Sequence, residues 1–246
     1  LLPYKGLQPV LGTTTLEAQA VEPSTPAAGF MRLYAKSIAG KIIPKFKGPS
    51  GLSSPIQSAL WSNGVYFVGP GATTVPTVFG GAAMTAVGTV SHPALTSVNS
   101  VTSMSRMIVT SAATANAIAE LRTPATRFWR GNSAGRGGFF HRTIFTTESV
   151  TALQRGFIGF NATGGATATT QSPSAQLNMV GIGWDSADTN LQIMSANAST
   201  GMKIDLGSLF PANNANNVYE FTLFCPPNES YIKWQIVNFI TGDRAE

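Results

Sequence analysis

Few side chains in this sequence are able to do acid–base, nucleophilic or metal chemistry. Two histidines, His92 and His141, and one cysteine, Cys225, are spread through 246 residues. A nucleophile–base pair of either histidine with Cys225 or a serine is conceivable. However, Cys225 precedes two prolines at a predicted strand end and reads as a small buried hydrophobe. The close carboxylates are Asp185 and Asp188, in Trp184-Asp-Ser-Ala-Asp-Thr-Asn190. Such a pair cleaves glycosidic bonds when one member is kept protonated and the other ionised. The same stretch suits sugar binding without chemistry: Trp184 offers a face to a pyranose, and Asp185, Asp188 and Asn190 offer partners to its hydroxyls. A calcium loop is a third reading, but the Gly and terminal Glu of an EF-hand are absent. The plain alternative is a polar turn beside a strand. One Cys and two separated His supply no zinc set. Gly131-Asn-Ser-Ala-Gly-Arg-Gly-Gly138 lacks the Lys-Ser/Thr of a phosphate loop and precedes a strand rather than a helix. No catalytic residue, metal or cofactor is expected, and Trp184, Asp185, Asp188 and Asn190 stand as a candidate carbohydrate contact.

The elements that would hold these residues read as strands. Residues 139–146, 155–160, 179–184, 191–194, 218–225 and 231–240 are short β-prone runs separated by turn signals, with Pro226-Pro-Asn-Glu229 closing a hairpin. Ile232, Trp234 and Ile236 alternate with Lys233 and Gln235, the pattern of a half-buried strand. Residues 65–68, 106–110 and 126–130 also suit strands; the Ala-rich run 112–121 is open to a helical reading that its Thr and Asn content weakens. Near the N-terminus, two β-prone runs flank a loop ending in Gly40, a hairpin signal. Phe30, Arg32, Tyr34 and Lys36 alternate there with Met31, Leu33 and Ala35, while Ile42 and Phe46 oppose Lys41, Ile43, Lys45 and Lys47. Pro44 makes that second strand an edge or a bulge. The expected architecture is all-β: an extended arm or linker over 1–28, a hairpin assembly segment over 29–48, and a β-sandwich head over 49–246.

Charge is unevenly placed. The chain has 16 Lys+Arg against 11 Asp+Glu, yet residues 48–105 contain none of these four types. A neutral stretch of that length is hard to keep dissolved on a lone monomer. Cover by identical neighbours, an obligate homo-oligomer, is the simplest expectation. The apolar residues Phe30, Leu33, Tyr34, Ile42 and Phe46 of the hairpin are the nominated contacts. The net charge of +5 raises nucleic-acid binding, but the basic residues are spread through apparent strands and residues 156–246 are acidic. Solvated strand faces are the better reading, so no nucleic-acid partner is expected. No apolar run reaches the roughly 18 residues of a membrane span.

Pro26-Ala-Ala-Gly-Phe-Met-Arg-Leu-Tyr-Ala-Lys36 followed by Gly40-Lys-Ile-Ile-Pro-Lys-Phe-Lys-Gly48 resembles a hairpin of tailed-bacteriophage fibre proteins. Gly48-Pro-Ser-Gly51 and Pro55-Ile-Gln-Ser-Ala-Leu-Trp61 resemble the linker that joins it to a head. The runs at 139–146 and 155–160 and the hairpin at 219–242 are similar to concanavalin-like (jelly-roll) sandwich heads of such virion proteins. The resemblance implies a tail-fibre or appendage subunit of the virion, a homotrimer contacting other virion proteins, whose head meets a host-surface polysaccharide. A capsid decoration or head fibre without receptor role is the alternative it leaves, with a glycan depolymerase behind both. It also implies a head that continues past Thr241-Gly242-Asp243 into further β structure.

Overall fold

The computed structural model describes residues 15–49, 51, 53–55, 84–123, 128–131, 137–147, 152–162, 171–226 and 229–246. The chain divides into two compact units, residues 1–60 and 61–246. Regular structure among the described residues is β throughout, apart from one 3-10 turn at Pro173–Ala175.

The first unit is one sheet of four strands in chain order: β1 (Ala18–Gln19), β2 (Arg32–Ile38), β3 (Lys41–Lys47) and β4 (Ser53–Pro55). β2 and β3 form the expected hairpin, closed by Ala39 and Gly40 at φ 48° and 74°. Two consecutive positive φ values make a type I′ turn, whose twist matches that of the strands it joins, and glycine enters that region without a Cβ clash. β1 runs parallel to β2, with Ala18 opposite Ala35 and Gln19 opposite Lys36. The arm is therefore tied to the hairpin rather than extended away from it. Pro44 lies opposite Ala35, one residue before β4 takes up the far side of β3 at Lys45, so it falls where β3 is still an edge.

Pairing in this hairpin separates two chemistries. Arg32, Tyr34, Lys36 and Ile38 share one face with Lys47, Lys45, Ile43 and Lys41; Leu33, Ala35 and Ser37 share the other with Phe46, Pro44 and Ile42. Leu33 and Ile42 are each 53% exposed on the second face, and nearby Phe30 and Met31 are also exposed. Phe46 is half-buried. The nomination of Tyr34 as a contact for a second copy needs correction. It is on the charged face, 2% exposed, with Lys45 Nζ 5.9 Å from its ring centroid.

The second unit contains two short pairs, β5 (Thr85–Val87) with β8 (Glu120–Arg122) and β6 (Thr89–Ser91) with β7 (Ile108–Thr110). The run 112–121 is turn leading into β8 rather than helix: Asn116 takes φ 60°, and Thr and Asn compete locally for backbone hydrogen bonds. The strand expected at 65–68 lies outside the described residues, and 128–130 is irregular.

Eight further strands make the sandwich: β9 (Phe139–Phe145), β10 (Gly156–Asn161), β11 (Met179–Trp184), β12 (Gln192–Ala196), β13 (Gly201–Asp205), β14 (Tyr219–Cys225), β15 (Lys233–Asn238) and β16 (Arg244–Ala245). One sheet is the antiparallel meander β10-β11-β12-β13; the other has the order β16-β15-β14-β9. Strict alternation on β14 sends Tyr219, Phe221, Leu223 and Cys225 inward. They meet Ile182, Trp184, Leu191 and Ile193 of the meander and its loop, with Phe139, Ile236 and Phe210 completing the core. Phe128, Phe139 and Phe160 pack ring against ring at 4.7–6.5 Å between centroids. Burying a side chain such as Phe221 or Leu223 contributes about 1.5–3 kcal/mol, so this inward row dominates the unit's stability.

The meander holds a sheet face without side chains at Gly159 and Gly181, where β10 and β11 approach closely. A Cβ on Gly181 would lie 2.3 Å from the Ile158 carbonyl and 2.8 Å from the Phe157 ring that covers it. At the end of the same ladder Gly156 faces Trp184, and a Cβ there would fall 2.2–2.6 Å from the indole. That indole is pinned in the core and has nowhere to go. Gly156→Ala is expected to lower the unfolding free energy by about 1–3 kcal/mol, the usual cost of overpacking, read as a lower urea midpoint with unchanged m-value.

Candidate functional site

Asp185 follows the last residue of β11, and the turn it opens places Asp188 beside it, with the Asp188 amide donating to the Asp185 carbonyl at 3.0 Å. The Asp185 amide in turn donates to the Asp188 carboxylate at 2.7 Å. Register on the meander puts Lys203 of β13 opposite Met194, on the outer face of the sheet. Its Nζ donates to Asp185 at 2.9 Å and to Asp188 at 2.7 Å. The 3-10 turn adds the Ser174 hydroxyl at 2.5 Å and the Ser174 amide at 3.2 Å to Asp185. Asn190 donates to Asp205 at 3.0 Å.

Two of the four expected residues, Asp185 and Asp188, are thus brought together around one lysine; Asn190 bonds Asp205 instead, and Trp184 does not join them. Trp184 is 6% exposed in the sandwich core. Ile182 points inward, and two residues on along a strand so does Trp184. The expectation that its face stacks on a sugar is overturned by this burial. The Asp185 carboxyl also lacks the raised pKa that a general acid needs. Partial burial alone would raise the Asp185 carboxyl, but the Ser174 and Lys203 hydrogen bonds outweigh it and hold it below the ordinary aspartate value. Burial alone would lower Lys203, but its bonds to Asp188 and Asp185 raise it. Charged carboxylate and charged ammonium each stabilise the other, so this cluster is a salt-bridged clasp joining β11, β13 and the 3-10 turn. Within it the charged forms of Asp185 and Lys203 are the favoured ones.

Cys225 and His141 come closer than their separation in sequence suggests. β14 pairs Cys225 with Phe139 and Leu223 with His141, so the two lie on one diagonal of the inner face. Burial raises the Cys225 thiol, a trend opposed by the charge of Arg130 and reinforced by that of Glu229. Burial also lowers His141 to about 4; its Nε2 is sealed from solvent without a partner, beside the Phe160 ring at 5.0 Å. A thiolate–imidazolium pair needs both shifts in the opposite sense. Residues 131–135 spell Gly-x-Ser-x-Gly around Ser133, a match not singled out from sequence. A nucleophile elbow sits between a strand and a following helix, whereas β9 is the next element after this tract, and residues 132–136 lie outside those described. Among the described residues no group of three or more His, Cys, Asp or Glu is placed to hold a metal ion, and no helix is long and apolar enough to cross a membrane.

A second cluster was not foreseen. The five basic residues of the hairpin, scattered in sequence, all fall on one face of the first sheet. Glu22 of the arm reaches into them: its carboxylate lies 2.8 Å from Lys45 Nζ, 3.4 Å from Lys36 and 3.9 Å from Lys47, and accepts from the Ser53 hydroxyl at 3.3 Å. Arg32 bonds Ser24 at 2.8 Å. Partial burial would raise Glu22, but Lys45 and Lys36 pull it down to about 2. The advance signals were the alternation of β2, which places Arg32 and Lys36 on one side, and that of β3, which does the same for Lys41, Lys45 and Lys47; the pairing that joins the two sets was not read.

Comparison with protein-family models, with curated proteins and with solved structures returns no match.

The buried imidazole gives the sandwich an acid limit. His141 has its unfolded pKa near 6.5 and its folded one near 4. Above pH 6.5 both states are neutral there and the residue contributes nothing to pH dependence. Between 6.5 and 4 the unfolded chain binds a proton that the folded chain refuses, so stability falls as pH falls, and the loss levels off below 4. The gap corresponds to about 3 kcal/mol. Urea unfolding at pH 7 and pH 4.5 should show a wild-type loss larger than that of His141→Gln by one to a few kcal/mol. Equal losses in the two proteins would show that another group sets the limit.

Proposed function

We propose that this chain is a structural subunit of a tailed-phage virion appendage, a homotrimer that attaches to a host-surface glycan and carries out no catalysis. The observation that supports it best is the open apolar face of the first sheet. Leu33 and Ile42 on that face are each 53% exposed, and Phe30 and Met31, which lead into β2, are 69 and 65% exposed. The sheet's own buried apolar residues are few, Tyr34, Ala35, Ala39 and Ile43. A four-stranded sheet with so little core is marginal when one apolar face meets water. Identical copies packing those faces together remove the exposed area, and the lysine-rich opposite face, which would repel itself, stays outward.

The remaining features support the same reading. The 58 uncharged residues at 48–105 suit a surface shared among copies. The Asp185–Asp188–Lys203 clasp and the buried Cys225 and His141 are arranged for stability rather than turnover. The specific choice of a trimeric phage appendage comes from the resemblance of the hairpin and linker sequences.

Size-exclusion chromatography with light scattering should return a mass of three chains for the wild type. Leu33→Asp combined with Ile42→Asp should shift it to one chain while the far-ultraviolet spectrum stays that of a β protein. A wild type that runs as a stable monomer would overturn the reading.

A further inference from the structure

We propose that the cationic face of the first sheet binds a linear, carboxylate-bearing polysaccharide, and that Glu22 of the same chain is its built-in competitor. This deepens the glycan-attachment reading above by naming the class of glycan and the residues that meet it.

Charge is the first ground. The unit formed by residues 1–60 has six Lys and Arg against Glu17 and Glu22, a net +4. Five of the six lie on one face of β2 and β3. Side chains two apart on a strand are separated by about 6.6–6.8 Å, and directly paired ones by about 4.5–5.5 Å. Ammonium groups at that spacing repel one another, and one carboxylate relieves only part of the cost. A polymer with regularly repeated negative charge relieves more and releases counterions from both partners.

The second ground is the shape of the site as it stands. Glu22 shows what the lysines recognise: a carboxylate held by three ammonium groups, with the Ser53 hydroxyl beside it. These are the partners that an uronate would need. Glu22 reaches the site from the arm, whose ladder to β2 is two residues long. That short ladder is the arm's backbone pairing to the hairpin among the described residues, and the Arg32 end of the row is exposed.

The third ground separates a glycan from a nucleic acid. Binding of unpaired nucleic acid combines cations with aromatic rings on which bases stack. Within β2 and β3 the aromatic residue on this face is Tyr34, which is 2% exposed and lies under Lys45. The exposed Phe30 precedes β2 at one end of the row, so the paired strands themselves offer no run of rings on which successive bases would stack, and the face is suited to a charged chain without bases.

The test uses the full chain and three immobilised polymers: polygalacturonate, neutral dextran and oligodeoxythymidylate. Polygalacturonate should bind Glu22→Gln at least several-fold more tightly than wild type, with affinity falling steeply as salt rises. Lys45→Gln with Lys47→Gln should lose tenfold or more, and Lys45→Arg with Lys47→Arg should keep most of the affinity, which separates lost charge from lost fold. Absence of binding by Glu22→Gln, equal binding by the Gln pair, or equal affinity for dextran would overturn the proposal. Oligodeoxythymidylate bound as tightly as polygalacturonate would overturn it in favour of a nucleic-acid face. Light scattering on the same samples keeps the two readings apart. A trimer without polygalacturonate binding defeats this inference alone, and a monomer that binds defeats the assembly alone.

Discussion

A strand sends successive side chains to opposite sides, so every strand of this chain makes two surfaces and something must cover each apolar one. In the sandwich the requirement is met within the chain. The inward row of β14 faces Ile182, Trp184 and Ile193 across the core, and both sheets have their apolar sides closed by each other. The first sheet meets the same requirement only halfway. Its charged face is closed over Tyr34 and Ile43 by the arm and by lysine stems, which cover apolar surface while keeping their ammonium groups at the rim. Its other face has Leu33 and Ile42 in the open. This unequal covering of apolar faces within one chain is the ground on which self-association is proposed, beside composition.

The same burial decides what the reactive groups do. Cys225 and His141 lie near each other, but on the inner face of the sandwich, where a low-polarity surrounding penalises both thiolate and imidazolium. Asp185 and Asp188 sit at the rim instead, where Lys203 and Ser174 supply enough compensation to keep charge in place. In the first location burial favours the neutral thiol and the neutral imidazole, and in the second the Ser174 and Lys203 hydrogen bonds hold the Asp185 carboxyl below its ordinary value.

Much of the sandwich was legible because its strands alternate cleanly. β11 runs from Met179 to Trp184 as read from sequence, and β9, β10, β14 and β15 differ from the expected runs by no more than two residues at either end, which is ordinary fraying at strand boundaries. β13 was missed: all five of its residues are exposed, so no burial pattern marks it. The candidate site was legible as a cluster but not as a function. Trp184 was read as a surface ring because polar residues follow it, whereas the alternation that assigns Ile182 to the core assigns Trp184 there too. Lys203, the residue that neutralises Asp185 and Asp188, arrives through pairing of β12 with β13, which local sequence does not encode. Basic residues that looked scattered between 32 and 47 were aligned by a two-residue turn. Lengthening that turn by one residue would have distributed them over both faces.

That turn links the two properties of the first sheet. The register set by Ala39 and Gly40 pairs Leu33 with Phe46 and, in the next row, Arg32 with Lys47. The apolar face and the cationic face are therefore products of one alignment and cannot be changed separately by a slip of the ladder. In the proposed assembly, packing of copies through the apolar face would leave each cationic face directed away from the contact, at a spacing fixed by the assembly. Weak carboxylate contacts on several such faces would then act together, since after the first had bound, the rest would meet the same polymer at high local concentration. Glu22 would set the threshold for this: a lone carboxylate in solution must displace a tethered one, whereas a polymer that engages several faces exchanges many at once.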